Sequence, residues 1–220
     1  MVIRFADRRD AGRRLAETLS FLKGRPDVLI LAVPRGGVVV GAQVARALGA
    51  ALDVVIARKI GAPGNPELAI GAVAYDGTTV LDENLVARLD VPDSYIRAAT
   101  DRERAEIQRR LQAYRDGRPA PEVVGKTVVV VDDGVATGAT TLAAIRALRK
   151  EAPRELILAV PVGPPDTINT LSREVDRVVV LATPELFWAV GSFYDSFEQT
   201  TDQEVIDLLK EFARERGVVS

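Results

Sequence analysis

The residues best suited to carry out chemistry lie in one segment, Val128 to Thr141, which reads VVVVDDGVATGATT. Four consecutive valines predict a buried strand that ends at two adjacent carboxylates, Asp132 and Asp133. A loop of small residues follows, and a helix is predicted to begin near Thr140. The unpaired N–H groups at a helix start attract anions, and small side chains let a phosphate approach them closely. The segment is therefore typical of an anion-binding loop, with hydroxyl donors in Thr137, Thr140 and Thr141.

The paired aspartates must have a different role from the loop, because a carboxylate and a phosphate repel each other. Two adjacent carboxylates can accept hydrogen bonds from vicinal hydroxyl groups, either directly or through a hydrated Mg²⁺ ion. They can also stabilise positive charge that develops on a neighbouring carbon atom. Carboxylates beside a phosphate loop therefore predict a site for a sugar phosphate, with Asp132 and Asp133 on the sugar.

A second loop, Val33 to Gly37, leaves the first predicted strand and enters a helix with the sequence VPRGG. Gly36 and Gly37 allow a ligand close to the backbone, and Arg35 can add a charge-assisted hydrogen bond. Taken alone, this loop is weak evidence, since a glycine turn with a solvent-exposed arginine has the same sequence.

The elements that must position these loops alternate along the chain. Apolar runs without polar alternation are typical of strands covered on both faces, and they occur at Val28 to Val33, Val54 to Ala57, Thr127 to Val131, Leu156 to Val160 and Val178 to Leu181. Helices are predicted at Asp10 to Lys23, Val38 to Leu48 and Thr140 to Lys150. This alternation predicts an α/β doubly wound fold, with a mainly parallel five-stranded sheet and helices on both faces. Ligands of such folds bind at the carboxyl ends of the strands.

Two insertions depart from that alternation, within a chain that we interpret as a single domain of residues 1–220. Ala69 to Leu81 has an Asp76-Gly77 turn between two β-prone runs, which predicts a small hood-like hairpin. Pro92 to Arg118 predicts a long charged helix, either solvated along one edge or docked to a partner; its apolar stripe is Ile107, Leu111 and Tyr114. The hairpin and the helix make up the insertion at about residues 60–120.

The closing segment, at about residues 184–220, ends in a predicted helix over Thr201 to Arg216. Thr201 and Glu204 have the spacing of a capping box. The buried face of this helix is predicted to be Val205, Leu208, Leu209 and Phe212.

Composition removes several classes of chemistry. The chain of 220 residues has no Cys and no His, which excludes a thiol nucleophile, the usual zinc and iron–sulfur sites and an imidazole acid or base. A net charge of -2 argues against a nucleic-acid or membrane-surface partner. No apolar run reaches the roughly 18 residues of a membrane span, and the N-terminus lacks the apolar core of a signal peptide. These features predict a cytoplasmic protein.

The acidic loop resembles the signature of the type I phosphoribosyltransferases: four apolar strand residues, two acids, two or three small or apolar residues, then Thr-Gly-x-Thr. The matching residues are Val128 to Val131, Asp132, Asp133, Thr137, Gly138 and Thr140. Gly134 stands where an aliphatic residue is common in the family. The resemblance extends over nearly the whole chain, and the layout is similar to that of a bacterial group labelled only provisionally as phosphoribosyltransferases.

The resemblance implies transfer of the 5-phosphoribosyl group from phosphoribosyl pyrophosphate (PRPP) to a nitrogen nucleophile, a nucleobase-like small molecule. Pyrophosphate would be released with the help of Mg²⁺, and family habit implies a homodimer. The residues implied to bind PRPP are Arg35, Gly36, Gly37, Lys59, Asp132, Asp133, Ala136, Thr137, Gly138, Ala139, Thr140 and Thr141. Of these, Arg35, Lys59, Asp132 and Asp133 are the implied catalytic residues, and the two aspartates would contact the metal through water.

The resemblance also assigns the residues that surround this core site. Arg58 and Lys59 end a strand and precede Ile60 to Gly71, the implied mobile cover loop. Lys59 is the preferred pyrophosphate contact, whereas Arg58 could equally be a structural ion-pair partner.

The acceptor pocket is expected near Phe187 and Trp188, where relatives stack an aromatic side chain on the base; a core role for these aromatic residues is the alternative. Asp195 is a further candidate contact for the metal. Relatives that use 6-oxopurines carry an Asp at the position of Ala136, so hypoxanthine and guanine are not the expected acceptors.

The sequence also contains features of three other functions. A P-loop would need a glycine at Ala120 and a helix after Gly125-Lys126-Thr127, and neither is present. A dinucleotide-binding site at Arg35 to Gly41, with Asp53 as the ribose acid, has misspaced glycines and leaves the acidic pair unexplained. A non-catalytic regulatory protein that binds PRPP or a nucleotide remains the alternative to an enzyme, although a sensor would need only the phosphate loop.

Overall fold

The sheet that carries both loops is five-stranded and parallel. The structure, a computed structural model, describes residues 3–215. The strands of this part of the chain are β1 (Val28–Ala32), β2 (Ala51–Val54), β3 (Ala57–Ala62), β4 (Asn65–Ala74), β5 (Thr79–Leu81), β6 (Thr127–Val131), β7 (Glu155–Val162) and β8 (Arg177–Ala182). The large sheet has the order β2-β1-β6-β7-β8, and every neighbouring pair in it is parallel. The predicted five-stranded parallel sheet is thus confirmed.

Helices cover both faces of this sheet. In the same part of the chain they are α1 (Arg8–Thr18), α2 (Gly36–Leu48), α3 (Glu83–Arg88), α4 (Asp93–Arg115), α5 (Ala139–Lys150), α6 (Pro165–Ser172) and α7 (Asp202–Glu215). Val129 and Val131 of β6 pack with residues of α1 and α2. Val128 and Val130 point the other way and pack with residues of α5 and α6. This alternation along one strand is the doubly wound arrangement expected from the sequence.

Strand β6 is the rigid support for the acidic loop. All five of its residues are fully buried. Each buried valine contributes roughly 1.5–3 kcal/mol relative to an exposed one, and β-branched side chains pack well on a pleated surface. The end of β6 is therefore a fixed point from which Asp132 and Asp133 project.

The predicted strand at Val54 to Ala57 was wrong in position. The sheet strand is β2, which ends at Val54, and the run after it is the connection to β3. Because β2 lies at the sheet edge, only Leu52 and Val54 of its four residues are buried, and a search for continuous apolar runs misses such a strand.

A second, three-stranded antiparallel sheet has the order β3-β4-β5. Strands β4 and β5 form the predicted hairpin around the Asp76-Gly77 turn, where Gly77 has φ +90°. Ile60 to Gly71, the implied mobile cover loop, belongs largely to the β3–β4 hairpin. Arg58 and Lys59 therefore lie inside β3 rather than at a strand end.

Other predicted helices shift slightly. The helix expected over Asp10 to Lys23 is α1 followed by a short 3-10 turn, Ser20–Leu22. In α4 the buried residues are Ala99, Ile107 and Tyr114, so one face packs and the rest is exposed or half-buried.

The capping box at the start of α7 is confirmed, since the backbone N–H of Glu204 donates to Oγ1 of Thr201 at 3.1 Å and that of Thr201 donates to the Glu204 carboxylate at 2.7 Å. Leu208, expected to be buried, is half-buried, and Arg216 lies outside the described residues. No helix in residues 3–215 is both long and apolar enough to cross a lipid bilayer.

Candidate active site

The two sequence loops meet because their strands are neighbours. Ala32 of β1 pairs in register with Val131 of β6, and the N–H of Val33 donates a 2.8 Å hydrogen bond to the carbonyl oxygen of Val131. A Cβ atom on Gly37 would lie 2.9 Å from the Cα atom of Asp132. The first glycine loop and the acidic loop are therefore in backbone contact, and Gly37 makes that contact possible.

The loop after β6 presents a run of free backbone donors. The N–H groups of Val135 and Leu142 donate hydrogen bonds, but within the described chain those of residues 136–141 between them donate none. Gly138, the N-cap of α5, has φ +75° and no side-chain cap. A helix start normally leaves the first few donors open, and this loop adds three more before it. Six consecutive free donors at a positive helix end form a strong anion site.

A threonine outside the loop holds it in place. Thr167 of α6 donates a 2.7 Å hydrogen bond from Oγ1 to the carbonyl oxygen of Ala136. Its methyl group, Cγ2, lies 2.7 Å from where a Cβ atom on Gly138 would be. Ala136 and Thr137 are exposed and Thr140 is half-buried. Thr141 as a whole is only 1% exposed, so its predicted contact with a ligand would be limited to the few atoms that reach the surface.

Asp132 and Asp133 share one local hydrogen-bond system. The backbone N–H of Asp133 donates to Oδ1 of Asp132 at 2.8 Å. Burial, and next the charge of Asp133, raises the pKa of Asp132 well above that of an ordinary aspartate. Asp133 is paired instead with Arg8, whose Nε lies 2.7 Å from Oδ2. The acidic pair therefore does not present two bare negative charges.

The glycine loop between β1 and α2 contains a cis peptide bond between Pro34 and Arg35. In the described part of the chain, the N–H groups of residues 35–37 donate no hydrogen bond, and Gly36 and Gly37 begin α2. The guanidinium of Arg35 lies 3.8 Å from the carboxylate of Asp202 at the start of α7. This loop thus offers a second, smaller set of anion donors next to the acids.

Lys59 and Arg58 have separate environments. Lys59 is exposed and lines a cleft of about 630 Å³ that Thr137, Gly138 and Ala139 also line. Arg58 forms an ion pair with Glu103 of α4. Of the two roles open to Arg58, the structure supports the structural ion pair, while Lys59 lines the same cleft as the loop after β6.

The aromatic segment after β8 splits into core and surface. Phe187 stacks on Phe193 with ring centroids 5.2 Å apart, whereas Trp188 is 88% exposed. Of the two predicted aromatic residues, Phe187 therefore packs against another ring, whereas Trp188 lies on the surface. Asp195 forms an exposed ion pair with Arg4 at 2.5 Å.

Val190 of this segment accounts for the unusual glycine of the acidic loop. A Cβ atom on Gly134 would lie 2.6 Å from Cγ1 of Val190 and 3.1 Å from Cγ1 of Val162. An aliphatic side chain is common at position 134 in the family, and here the side chains of Val190 and Val162 fill that space.

Sequence reasoning missed Arg8 and Thr167. Both reach the site over long chain separations, 125 residues for the Arg8–Asp133 hydrogen bond and 31 for the Thr167–Ala136 hydrogen bond. Neither residue belongs to a motif, and no local pattern distinguishes Arg8 from the other arginines of α1.

The family of this chain follows from its match to a known family model. The family model described as "Phosphoribosyl transferase domain" matches residues 6–196, which include both loops, both sheets and the aromatic segment. This chain belongs to the phosphoribosyl transferase family. The α/β sheet with the acidic loop after β6 is the architecture that carries this family's domain here.

Sequences similar to this phosphoribosyl transferase domain align with nearly its whole length. A Mycobacterium tuberculosis protein, named provisionally as a phosphoribosyl transferase in two strains, is 44% identical over 205 residues, or 93% of this chain. The chain spans about half the length of these curated relatives, 46%. The protein TT1426 from Thermus thermophilus, known from a crystal structure, is 45% identical in sequence to this chain. The two structures superpose with a TM-score of 0.79, over 96% of this chain and 99% of that one.

Proposed function

We propose that the protein transfers the 5-phosphoribosyl group from PRPP to a nitrogen atom of a nucleobase-like acceptor, with release of pyrophosphate and with Mg²⁺ as cofactor. The observation that carries this proposal is the run of six free backbone donors next to two carboxylates. A phosphate and a polyol joined in one molecule fit such a site, because each half requires one of these two features. Family membership supports the same reaction class.

The 5′-phosphate is placed on the backbone of residues 136–141. Those donors are pre-formed, since Thr167 fixes the Ala136 carbonyl and Gly138 holds the left-handed conformation at the N-cap of α5. Pre-formed donors do not have to reorganise when the ligand binds, which makes them effective electrostatic groups. The hydroxyls of Thr137 and Thr140 are close enough in the chain to assist.

The ribose is placed on Asp132 and Asp133. During transfer the C1′–oxygen bond to pyrophosphate breaks and a C1′–nitrogen bond forms on the opposite face of the sugar. Positive charge develops on the ring in between, and the two carboxylates stabilise it. The acceptor nitrogen loses its proton to solvent or to a carboxylate, because the chain contains no histidine.

The leaving pyrophosphate is placed between the Arg35–Gly37 loop and Lys59. The free amides of residues 35–37 and the two cations bind its oxygens. The donors present fit a cation that the substrate carries, because two adjacent carboxylates supply the oxygen ligands that Mg²⁺ prefers. Asp132 and Asp133 would therefore hold Mg²⁺ through water, with Asp195 as a further contact. When bound, the ion neutralises charge on the pyrophosphate.

The acceptor is placed against the aromatic segment, with Trp188 as an exposed stacking surface and with its neighbour in the chain, Phe187, stacked on Phe193. Ala136 offers no carboxylate to the ring of the base, which disfavours hypoxanthine and guanine. We further propose that the protein is cytoplasmic and works as a homodimer, as is the habit of the family.

The test is pyrophosphate release from PRPP and Mg²⁺ with a panel of purines, pyrimidines, nicotinic compounds and amines, together with calorimetric titration of PRPP. Release with at least one acceptor, at a rate that depends on Mg²⁺, supports the proposal. PRPP binding with no release across the panel favours the regulatory alternative. Absence of PRPP binding overturns both.

A further inference from the structure

Arg8, the first residue of α1, reaches the acidic pair from outside the two loops. Its Nε donates a 2.7 Å hydrogen bond to Oδ2 of Asp133, and the two side chains are 12% and 15% exposed. Solvent screens an ion pair this little exposed only weakly. Removing one partner would leave the other as a nearly buried, unpaired charge.

The guanidinium of Arg8 is also held from behind by the segment after β8. Nη1 donates a 2.6 Å hydrogen bond to the carbonyl oxygen of Glu198, and the flat face lies 3.8 Å from the ring centroid of Phe197. Phe197 packs on Tyr194 with centroids 4.9 Å apart, and the Tyr194 hydroxyl donates to the carbonyl oxygen of Asp133. The contacts form a closed ring that begins and ends at Asp133, so the guanidinium has one orientation.

The ion pair occupies the space beside the pyrophosphate loop. A Cβ atom on Gly36 would lie 1.9 Å from Oδ2 of Asp133 and 2.5 Å from Nε of Arg8. The backbone of Gly36 therefore packs directly on the pair. Arg8 links three segments that are far apart in sequence: the start of α1, the glycine loop and the acidic loop.

We propose that Arg8 is a positioning residue for the ribose site, because it binds Oδ2 of Asp133 and leaves Oδ1 to accept from a sugar hydroxyl. This inference rests on the proposed function, in which Asp133 holds the ribose. Within residues 3–215, no N–H group donates to Oδ1 of Asp133, and the side chain that shares a hydrogen bond with this carboxylate besides Arg8 is the adjacent Asp132. Arg8 acts through Asp133 and is not a contact of the reacting atoms.

The first test compares two substitutions of Arg8 by titration of PRPP in the presence of Mg²⁺. Arg8→Met keeps the alkyl chain but removes the guanidinium, and we expect PRPP affinity to fall about tenfold or more because Asp133 is no longer fixed. Arg8→Lys keeps the charge but cannot make both hydrogen bonds and the ring contact, so it restores only part of the affinity. If Arg8→Lys binds PRPP as tightly as the wild type, the positioning role is wrong.

Arg13→Met is the matched control. Arg13 lies on the same helix, its side chain is 61% exposed, and the substitution removes the same charge. We expect unchanged PRPP affinity in this variant. An equal loss in Arg13→Met and Arg8→Met would show that net charge alone is responsible and would overturn the proposal.

A double-mutant cycle separates positioning from a general effect on the fold. In the background of Asp133→Asn, Arg8→Met should cost little further PRPP affinity, because its partner is already changed. Additive losses would contradict action through Asp133. A lower unfolding midpoint with unchanged PRPP affinity would assign Arg8 a purely structural role.

Phe197→Leu covers the case in which Arg8→Met fails to fold. Phe197 is 38% exposed, and its replacement loosens the guanidinium without removing a charge. We expect a smaller loss of PRPP affinity in the same direction, and unchanged affinity in Phe197→Leu overturns the proposal, as unchanged affinity in Arg8→Lys does. Absence of PRPP binding by the wild type overturns the proposed function itself, whereas normal wild-type binding with equal affinity in all Arg8 variants overturns only the role of Arg8.

Discussion

The hydroxyl group of Tyr194 donates a 2.5 Å hydrogen bond to the main-chain carbonyl oxygen of Asp133. This contact joins the segment after β8 to the carboxyl end of β6, although β7 lies between those strands in the sheet. Tyr194 is 3% exposed, and burial raises the pKa of its phenol above the ordinary value, so the hydroxyl stays a donor at neutral pH. Asp133 is thus fixed through its backbone by Tyr194 and through its side chain by Arg8.

Replacing both acids, Asp132→Asn with Asp133→Asn, should abolish pyrophosphate release from PRPP while the fold is retained at lower stability, because Arg8 loses its charged partner. Each carboxylate that stabilises the charged sugar is expected to contribute about 10²–10³ in rate. Steady-state pyrophosphate release measures the effect, and circular dichroism checks the fold. Asp101→Asn, at an exposed position of α4, is the control and should retain full activity. Undiminished release by the double variant would refute the assignment of these residues.

Gly36→Ala should weaken PRPP binding by displacing the Asp133 carboxylate, since the new Cβ atom would lie 1.9 Å from Oδ2. Overpacking of this kind also costs about 1–3 kcal/mol of stability. Calorimetry and urea unfolding measure the two effects. Gly24→Ala is a comparison in open space, where φ is +74° and nothing lies within 4 Å; its cost is confined to backbone strain and its PRPP affinity should be normal. Wild-type affinity in Gly36→Ala would mean that the loop and the carboxylate can move apart freely.

Thr167→Val should raise the KM for PRPP several-fold with little change in kcat. The variant keeps the β-branched shape but loses the 2.7 Å hydrogen bond to Ala136, which is worth about 1 kcal/mol. Thr167→Ser keeps that hydrogen bond and is expected to behave like the wild type. Equal KM values in the Val and Ser variants would exclude a role for the hydroxyl in shaping the phosphate loop.

Stability should fall at alkaline pH through Tyr114. This phenol is 1% exposed and donates a 2.6 Å hydrogen bond to Asp202. Burial, followed by that hydrogen bond, raises its pKa from 10.0 to about 12. The folded state therefore holds the phenolic proton more tightly, so the contribution is complete below pH 10 and is lost as the pH rises from about 10 to about 12. We expect the free energy of unfolding to fall by about 2 kcal/mol more in the wild type than in Tyr114→Phe across that window.

Urea unfolding of both proteins at several pH values measures this difference, and Tyr75 and Tyr194 cancel because both proteins contain them. Parallel pH curves for the two proteins would show that Tyr114 titrates normally in the folded state.

Trp188 provides a direct reporter of acceptor binding, because it is the chain's single tryptophan and 88% of its surface is exposed. An acceptor that stacks on the indole should quench its fluorescence, whereas PRPP alone should change it little. Trp188→Ala should raise the KM for the acceptor and leave PRPP affinity unchanged. Leu186→Ala, at an 81% exposed position of the same segment, is the control. A Trp188→Ala variant with normal acceptor KM would place the acceptor elsewhere.

Features encoded in short stretches of sequence were predictable. Consecutive valines predict strand β6, and Asp76-Gly77 predicts the β4–β5 turn. The spacing of Thr201 and Glu204 predicts the start of α7. In each case the pattern and the stabilising contact lie within a few residues of each other. The juxtaposition of the two loops was also predictable, because parallel strands deliver their carboxyl ends to one edge.

Features that depend on distant partners were not predictable. Strand β2 has only one covered face and so lacks the apolar run of the inner strands. The hairpin at Ile60 to Gly71 has the turn residues of a loop, and its strand character comes from pairing with neighbours. Arg8 lies among several similar arginines, and only the fold shows that this one faces Asp133. The burial of Thr141 likewise follows from its side of α5, which the loop motif does not specify.

The contact between Gly134 and Val190 constrains how relatives of this protein can diverge. With Val190 occupying the volume beside Gly134, an aliphatic residue at 134 cannot be accepted while the valine remains where it is. Homologues that carry a branched side chain at the position of Gly134 are therefore expected to carry a smaller residue, or a shifted backbone, at the position of Val190. The sizes of the residues at positions 134 and 190 should therefore covary among homologues.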